Sequence, residues 1–155
     1  VASPPPPPRP ADPNAGAAAA IRRGVQRFLF DAGWVSLAEV TLISGRRVDL
    51  LAVDGAGHLL IVEIKSGPPD FRGDRKWPEY LPFADLFAFA VDADFPVELL
   101  PDDVGVIVAD GWSGEWLRPP ATTAPLSAAR RKALLIRFAT LAGARLLDRP
   151  DPPPP

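Results

Sequence analysis

The sequence predicts an α/β domain, a mixed sheet flanked by helices in the order α-β-β-β-α-β-β-α. Three observations carry that expectation. An opening segment repeats apolar residues at helical spacing, and a closing segment after Ser127 does the same. Between them lie short apolar runs such as LLIVEIK, DLFAFAV and VGVIVA, separated by Gly, Pro and Asp clusters. An all-helical or all-strand chain would not switch period in this way.

In the opening helix, expected over 17–32, Ile21, Val25, Phe28 and Leu29 form the apolar stripe. Arg22, Arg23 and Arg27 lie off it, and Gly33 supplies the stop. A strand is expected around 37–43, followed by a turn at Ser44-Gly45. The segments RRVDLLAVD and LLIVEIK then read as a hairpin closed by the turn signal Asp54-Gly55-Ala56-Gly57-His58. Ser66-Gly67-Pro68-Pro69 forces a break, and 70–83 reads as short helical pieces interrupted by Pro78 and Pro82. DLFAFAV, ending at Val91, and 104–109 read as buried strands, with a short edge strand at 115–118. Ser127 caps the closing helix, whose apolar side is Leu134, Leu135, Phe138, Leu141 and Leu146. Its Arg130, Arg131, Lys132 and Arg137 read as a solvated polar side. Residues 16–148 form the domain; 1–15 and 149–155 are proline-rich and expected to be disordered tails.

The hairpin carries the chemistry. If Asp54 pairs with His58 across a three-residue turn, counting places Val53 opposite Leu59, Leu51 opposite Ile61, Asp49 opposite Glu63, and Arg47 opposite Lys65. Side chains alternate with period two, so Arg47, Asp49, Glu63 and Lys65 share one face. Facing carboxylates repel, and a divalent cation between them removes the conflict. Hard oxygen donors suit Mg2+ or Mn2+. Lys65 could then orient a water or stabilise charge on a phosphate, a set suited to phosphodiester hydrolysis. The competing reading is a salt-bridge cluster at the strand ends.

Glu39 depends on the preceding turn. A two-residue turn at Ser44-Gly45 turns it away from Asp49; a third residue, Arg46, brings Glu39 and Thr41 to the active face. Arg72, Arg75, Lys76, Trp77 and Tyr80 mix cations with aromatics, as phosphate contact and base stacking require. The alternative is a solvated helix face with a docked tryptophan. Lys76 and Tyr80, four apart, would share a helix face.

The composition excludes other chemistries. There is no cysteine, hence no disulfide, thiol nucleophile or zinc-thiolate site, and the single His58 excludes a multi-histidine metal site. With a formal charge of -2, any DNA contact must use local basic patches. No apolar run approaches the ~20 residues of a membrane span. The first residues lack the pattern of a secretory signal, and cytoplasmic residence is expected.

The chain resembles the PD-(D/E)XK nuclease superfamily, the restriction-endonuclease-like fold, in its opening helix and strands bearing D and E-x-K. More narrowly, EVTLISGRRVDLLAV, IVEIKSG, DFRGDRKWPEY and FAVDADFP resemble the MmcB family of bacterial DNA-repair proteins, linked to tolerance of mitomycin-type damage. The resemblance covers roughly residues 20–147. It implies that Asp49 and Glu63 are metal ligands, joined by the Ile64 carbonyl, and that Lys65 is the catalytic lysine. Many members carry another acid on the first helix; here that helix offers only Asp31, and Glu39 is the best substitute. The implied function is a metal-dependent endonuclease acting on damaged, branched or single-stranded DNA near the bacterial nucleoid. A homodimer would reach both strands. The alternative is a DNA-structure-binding adaptor that recruits other repair factors. The residues alone do not separate DNA from RNA.

Overall fold

The structure, a computed structural model, describes residues 13–122 and 124–150. Helix α1 (Pro13–Asp31) leads into strands β1 (Trp34–Thr41), β2 (Arg47–Asp54) and β3 (Leu59–Ile64). Helix α2 (Pro68–Gly73) and a 3₁₀ helix (Trp77–Phe83) precede β4 (Leu86–Val91). A 3₁₀ turn (Val97–Leu99), β5 (Gly105–Ala109), β6 (Gly114–Arg118) and α3 (Ala128–Leu147) complete the fold. The six strands form one sheet in sequence order. β1, β2 and β3 are antiparallel, β3, β4 and β5 parallel, and β6 returns antiparallel to β5. The mixed α/β class is as expected from the sequence, with β6 added to the eight-element order.

Each face of the sheet has its own core. Ile21, Val25 and Leu29 of α1 pack on Leu50, Ala52, Leu60, Val62, Ala88 and Ala90. The opposite face buries Leu51, Leu59, Ile61, Phe87 and Phe89 under Tyr80 and Phe83 of the 3₁₀ helix and Leu134 of α3. β3 is therefore buried at every residue, which explains its unbroken apolar run.

Several boundaries differ from the sequence expectation. α1 begins at Pro13 rather than residue 17, so 13–15 are helix and not tail. Proline fits a first helical turn and the alanines that follow propagate it. Residues 1–12 and 151–155 of the expected tails lie outside the described residues. Both hairpin loops have three residues. Leu42 pairs with Arg46 around Ile43-Ser44-Gly45, and Asp54 with His58 around Gly55-Ala56-Gly57. Each ends on a glycine of positive φ, 83° at Gly45 and 82° at Gly57, the conformation that closes such a loop. The third loop residue of the first hairpin is thus Ile43 rather than Arg46.

α3 also differs. Ser127 caps it as expected, accepting from the Arg130 N–H at 3.2 Å. Arg130, Lys132 and Arg137 are exposed, as expected of a polar side, and Arg131 is half-buried; the arginines also bind neighbouring segments. Arg131 makes two 2.6 Å bonds to Asp85 and one of 3.0 Å to the Gly57 carbonyl. Arg130 donates to the Pro82 carbonyl, Arg137 to that of Thr41 and Arg145 to that of Glu39. Leu146, expected on the apolar side, is exposed. The other four residues of the expected stripe, Leu134, Leu135, Phe138 and Leu141, do pack on the core.

α1 is seated by Gly24. A Cβ there would collide with the carbonyl oxygens of Asp110 and Ser113, on the turn between β5 and β6. Backbone cannot yield as a flexible side chain can. Gly24→Ala should therefore destabilise the protein by about 2 kcal/mol or more, despite alanine's higher helix propensity. Urea titration of the variant beside Gly16→Ala, where a Cβ meets nothing within 4 Å, checks this.

Candidate functional site

The predicted hairpin register is present, with Val53 opposite Leu59 and Leu51 opposite Ile61. The β2–β3 ladder ends at Leu50 and Val62, one residue before Asp49 and Glu63 would continue it as a regular pair. Beyond that point the carboxylates take over. The Asp49 N–H donates to Glu63 Oε1 at 3.0 Å, and the Ile64 N–H donates to Asp49 Oδ2 at 2.8 Å. Each acid satisfies a backbone donor at the opened end of the hairpin.

β1 and β2 turn over at the same place. Ala38 and Leu50 pack under α1, yet Val40 and Val48 pack in the opposite core, although period two would keep each pair on one face. The residues between are Glu39 and Asp49. Glu39 holds a φ of 53°, and among the described residues no other non-glycine residue has positive φ. Pairing resumes unshifted on either side, with Ala38 opposite Leu50 and Val40 opposite Val48. The three-residue loop sets this parity and puts Glu39 across from Asp49. A left-handed glutamate costs of order 1–3 kcal/mol and marks a constrained position.

The result is a cavity of about 730 Å³ where α1, the split strands and the segment after β3 meet. Arg47, Asp49, Glu63, Ile64, Lys65, Lys76, Tyr80 and Glu39 all line it. Lys76 and Tyr80 reach it although Pro78 lies between them, because the segment is a tight 3₁₀ helix. The Tyr80 hydroxyl donates to the Arg47 carbonyl at 3.4 Å. Arg72 and Arg75 are exposed and do not line the cavity; nor does Asp31. Trp77, expected to stack on bases, is docked in the core instead. Its ring stacks on Phe87 at 5.5 Å and meets the edge of Phe89 at 5.4 Å.

Three wall residues escaped the sequence reading. Asp74 receives a 2.6 Å bond from the Lys65 ammonium, and both side chains are nearly buried. Asp70 lies in the wall and accepts from the Ser66 N–H at 3.1 Å. Arg22 enters from α1. The signal for Asp74 was present: a lysine ending a buried strand needs a counter-charge, and the break at Pro68-Pro69 turns the next acids back.

Burial pushes Glu63 up from its ordinary value to about 8, and the charge of Asp49 adds to the shift. Asp49 is raised too, first by burial, with the Ile64 N–H opposing. Burial also raises the Tyr80 hydroxyl to about 12, helped by Glu63, Asp74 and Asp49. Burial acts upward on Asp74 as well, but the Lys65 bond and the Lys76 N–H outweigh it and hold that carboxyl low. The pair therefore tends to retain a proton. Among the described residues no group of three or more His, Cys, Asp or Glu forms a metal-holding cluster. The residues that could offer oxygen donors to an ion here are Asp49, Glu63 and, through its carbonyl, Ile64, all of which line the cavity.

Fold and site together define a mixed α/β protein with an acid pair, Glu63 buried and Asp49 half-buried, and a buried lysine at the opened end of its central hairpin. A family model described as DNA repair protein MmcB-like matches residues 6–152, and the chain belongs to that family. Among solved structures it is similar to the SPO1766 protein of unknown function from Silicibacter pomeroyi, with 40% identity and a TM-score of 0.80. That match covers 84% of this chain and 88% of the other. No curated protein matches.

The raised Glu63 pKa sets a pH dependence for the metal-free protein. Between its ordinary value of 4.5 and about 8 the folded state holds a proton that the unfolded state has lost. Stability should therefore fall as pH rises through that window, by at most about 1.4 kcal/mol per pH unit. Glu63→Gln should flatten the slope. The depressed Asp74 and Asp85 act in the opposite sense at lower pH, outside the window. Urea titrations in chelator from pH 5 to 8 test this, and equal slopes in both proteins would mean Glu63 is ionised throughout.

Proposed function

We propose that the protein is a divalent-metal-dependent DNA endonuclease of restriction-endonuclease-like architecture that acts in repair. The observation that carries this reading is buried Glu63 beside half-buried Asp49, next to buried Lys65, in an open cavity. Two neighbouring acids whose pKa values are both raised, beside a lysine in a cavity, are the arrangement expected of a functional site. The donor set fits Mg2+ or Mn2+. One oxygen of each carboxylate is engaged by a backbone N–H, and the other has no hydrogen bond among the described residues. These oxygens and the Ile64 carbonyl would hold the ion.

When bound, such an ion supplies an activated water and neutralises charge on a phosphate. The remaining tasks belong to the chain. Lys65, held by Asp74, presents an ammonium beside the acid pair and would stabilise charge developing on the phosphate oxygens. Arg22, Arg47 and Lys76 in the wall would grip flanking phosphates, with Arg72 and Arg75 outside extending that contact. Glu39, exposed and opposite Asp49, would add a ligand or hold a water.

One observation favours the adaptor reading, in which the fold binds DNA structures and recruits repair factors without cutting. The Lys65 ammonium is already neutralised by a 2.6 Å contact, which weakens it as an electrophile.

Millimolar Mg2+ or Mn2+ should raise the melting temperature by a few degrees, since an ion that binds only the folded state stabilises it. Asp49→Asn and Glu63→Gln should each abolish the rise. Lys65→Ala combined with Asp74→Asn, which avoids stranding a buried charge, should cut single-turnover cleavage by about 100-fold or more while keeping DNA affinity. Wild-type protein that binds branched DNA yet cuts nothing with any divalent ion would establish the adaptor instead.

A further inference from the structure

A second cavity, of about 700 Å³, lies further along the seam between α1 and β1. Its walls differ in kind from the first. Trp112 is 76% exposed, Phe30 69% and Val35 50%, an unusual grouping of large apolar side chains in water. The exposed Arg23 and Arg27 lie among them, and the Arg27 guanidinium sits over the Trp112 ring at 5.2 Å. Asp31 is the sole acid in the lining.

Trp112 is presented by a built turn. Asp110 Oδ1 accepts the N–H of Trp112 at 2.7 Å and of Ser113 at 2.8 Å. The same turn is clamped against α1 where Gly24 leaves no room for a side chain. The indole is thus held outward at little entropic cost.

The two cavities share the seam. Arg22 and Glu39 line the first. One helical turn and three strand residues away, Gln26 donates to Ser36 at 3.3 Å across the seam, and both line the second. The offset is about 6 Å along the helix and about 10 Å along the strand. A single strand of DNA spans that in a few nucleotides.

We propose that the second cavity is a base-stacking subsite for single-stranded DNA, with Trp112 and Phe30 as platforms and Arg23 and Arg27 as phosphate contacts. Exposed rings interleaved with arginines accept any base and neutralise the backbone. A protein partner would need a larger apolar core than Trp112, Phe30 and Val35 supply. The subsite rests on the DNA-acting reading of the acid pair but not on its catalysis. It implies a preference for DNA with a single-stranded flank beside the acid-pair cavity.

The test is titration of short oligothymidylate and of a blunt duplex, in chelator so that no cutting occurs. Quenching of Trp112 fluorescence should accompany binding of the single strand. Trp112→Ala should weaken single-strand binding about tenfold, within the range of one lost stack. Trp112→Phe should recover most of it, and duplex affinity should stay within about twofold. Arg27→Ala should weaken binding and lower its salt dependence. Melting curves establish that each variant is folded, as expected for exposed side chains. Single-strand affinity unchanged by Trp112→Ala would overturn the proposal, whatever the cleavage assays show. So would a wild-type dimer in sedimentation that Trp112→Ala dissociates without changing DNA affinity, since the patch would then join two copies. Trp112-dependent binding without any metal-dependent cleavage would uphold the subsite while removing the nuclease reading.

Discussion

The opened end of the β2–β3 hairpin is the constraint on which the rest of the site depends. An antiparallel ladder normally continues until a strand runs out of partners. Here it stops at Leu50 and Val62, and two side-chain carboxylates satisfy the donors that the parting strands leave. Without Asp49 and Glu63 in these places the Asp49 and Ile64 N–H groups would lose their acceptors at a partly buried position, at about 1–3 kcal/mol each. The acids therefore serve the fold as well as any chemistry. Their second oxygens share one cavity wall because the first are tied to opposite strands.

The surroundings follow from holding that split open. Val40 and Val48 change faces together, which keeps both buried while Glu39 and Asp49 turn over between them. The strain of Glu39 is tolerated because its neighbours are pinned: Arg145 binds its carbonyl and Arg137 that of Thr41. α3 thus supports the hairpin through arginine side chains rather than through a deep apolar stripe. On the other side the chain after Lys65 folds back as α2 and returns Asp74 to the ammonium. Arg46 and Glu79, in contact at 2.6 Å but exposed, add little by comparison.

Much of this was legible in the sequence because it rests on period and turn chemistry. The apolar runs, the glycines ending two loops, and the count from Asp54 to His58 sufficed for the hairpin register and for bringing Asp49 to Glu63. Glu39 was ambiguous because one residue in a loop reverses a strand's faces, and Ser44-Gly45 does not declare whether a third residue joins it. Trp77 was left between two readings because an aromatic among cations reads the same whether it docks or protrudes. Its burial is decided by Phe87 and Phe89, which approach only once β4 has crossed back beside β3. The arginines of α3 escaped for a similar reason. Their acceptors are backbone carbonyls at 41, 57 and 82, groups that every sequence contains and none advertises.

The charges in the acid-pair cavity bear on how a chain of net charge -2 would approach a polyanion. Its lining holds five carboxyl groups, Glu39, Asp49, Glu63, Asp70 and Asp74, against four cations, Arg22, Arg47, Lys65 and Lys76. With Glu63 retaining its proton, as a pKa of about 8 implies near neutrality, the wall is balanced and exerts little pull on phosphate. A divalent ion on the reading proposed would displace that proton and still leave the wall one charge more positive. The acid pair would then act as a gate on substrate as well as a seat for the ion, since phosphate is drawn in only after the cation is in place. The second cavity, with two arginines to one aspartate, needs no such loading. On these charges a single-stranded flank would engage α1 first, and the scissile phosphate would settle beside Lys65 once the pair is charged.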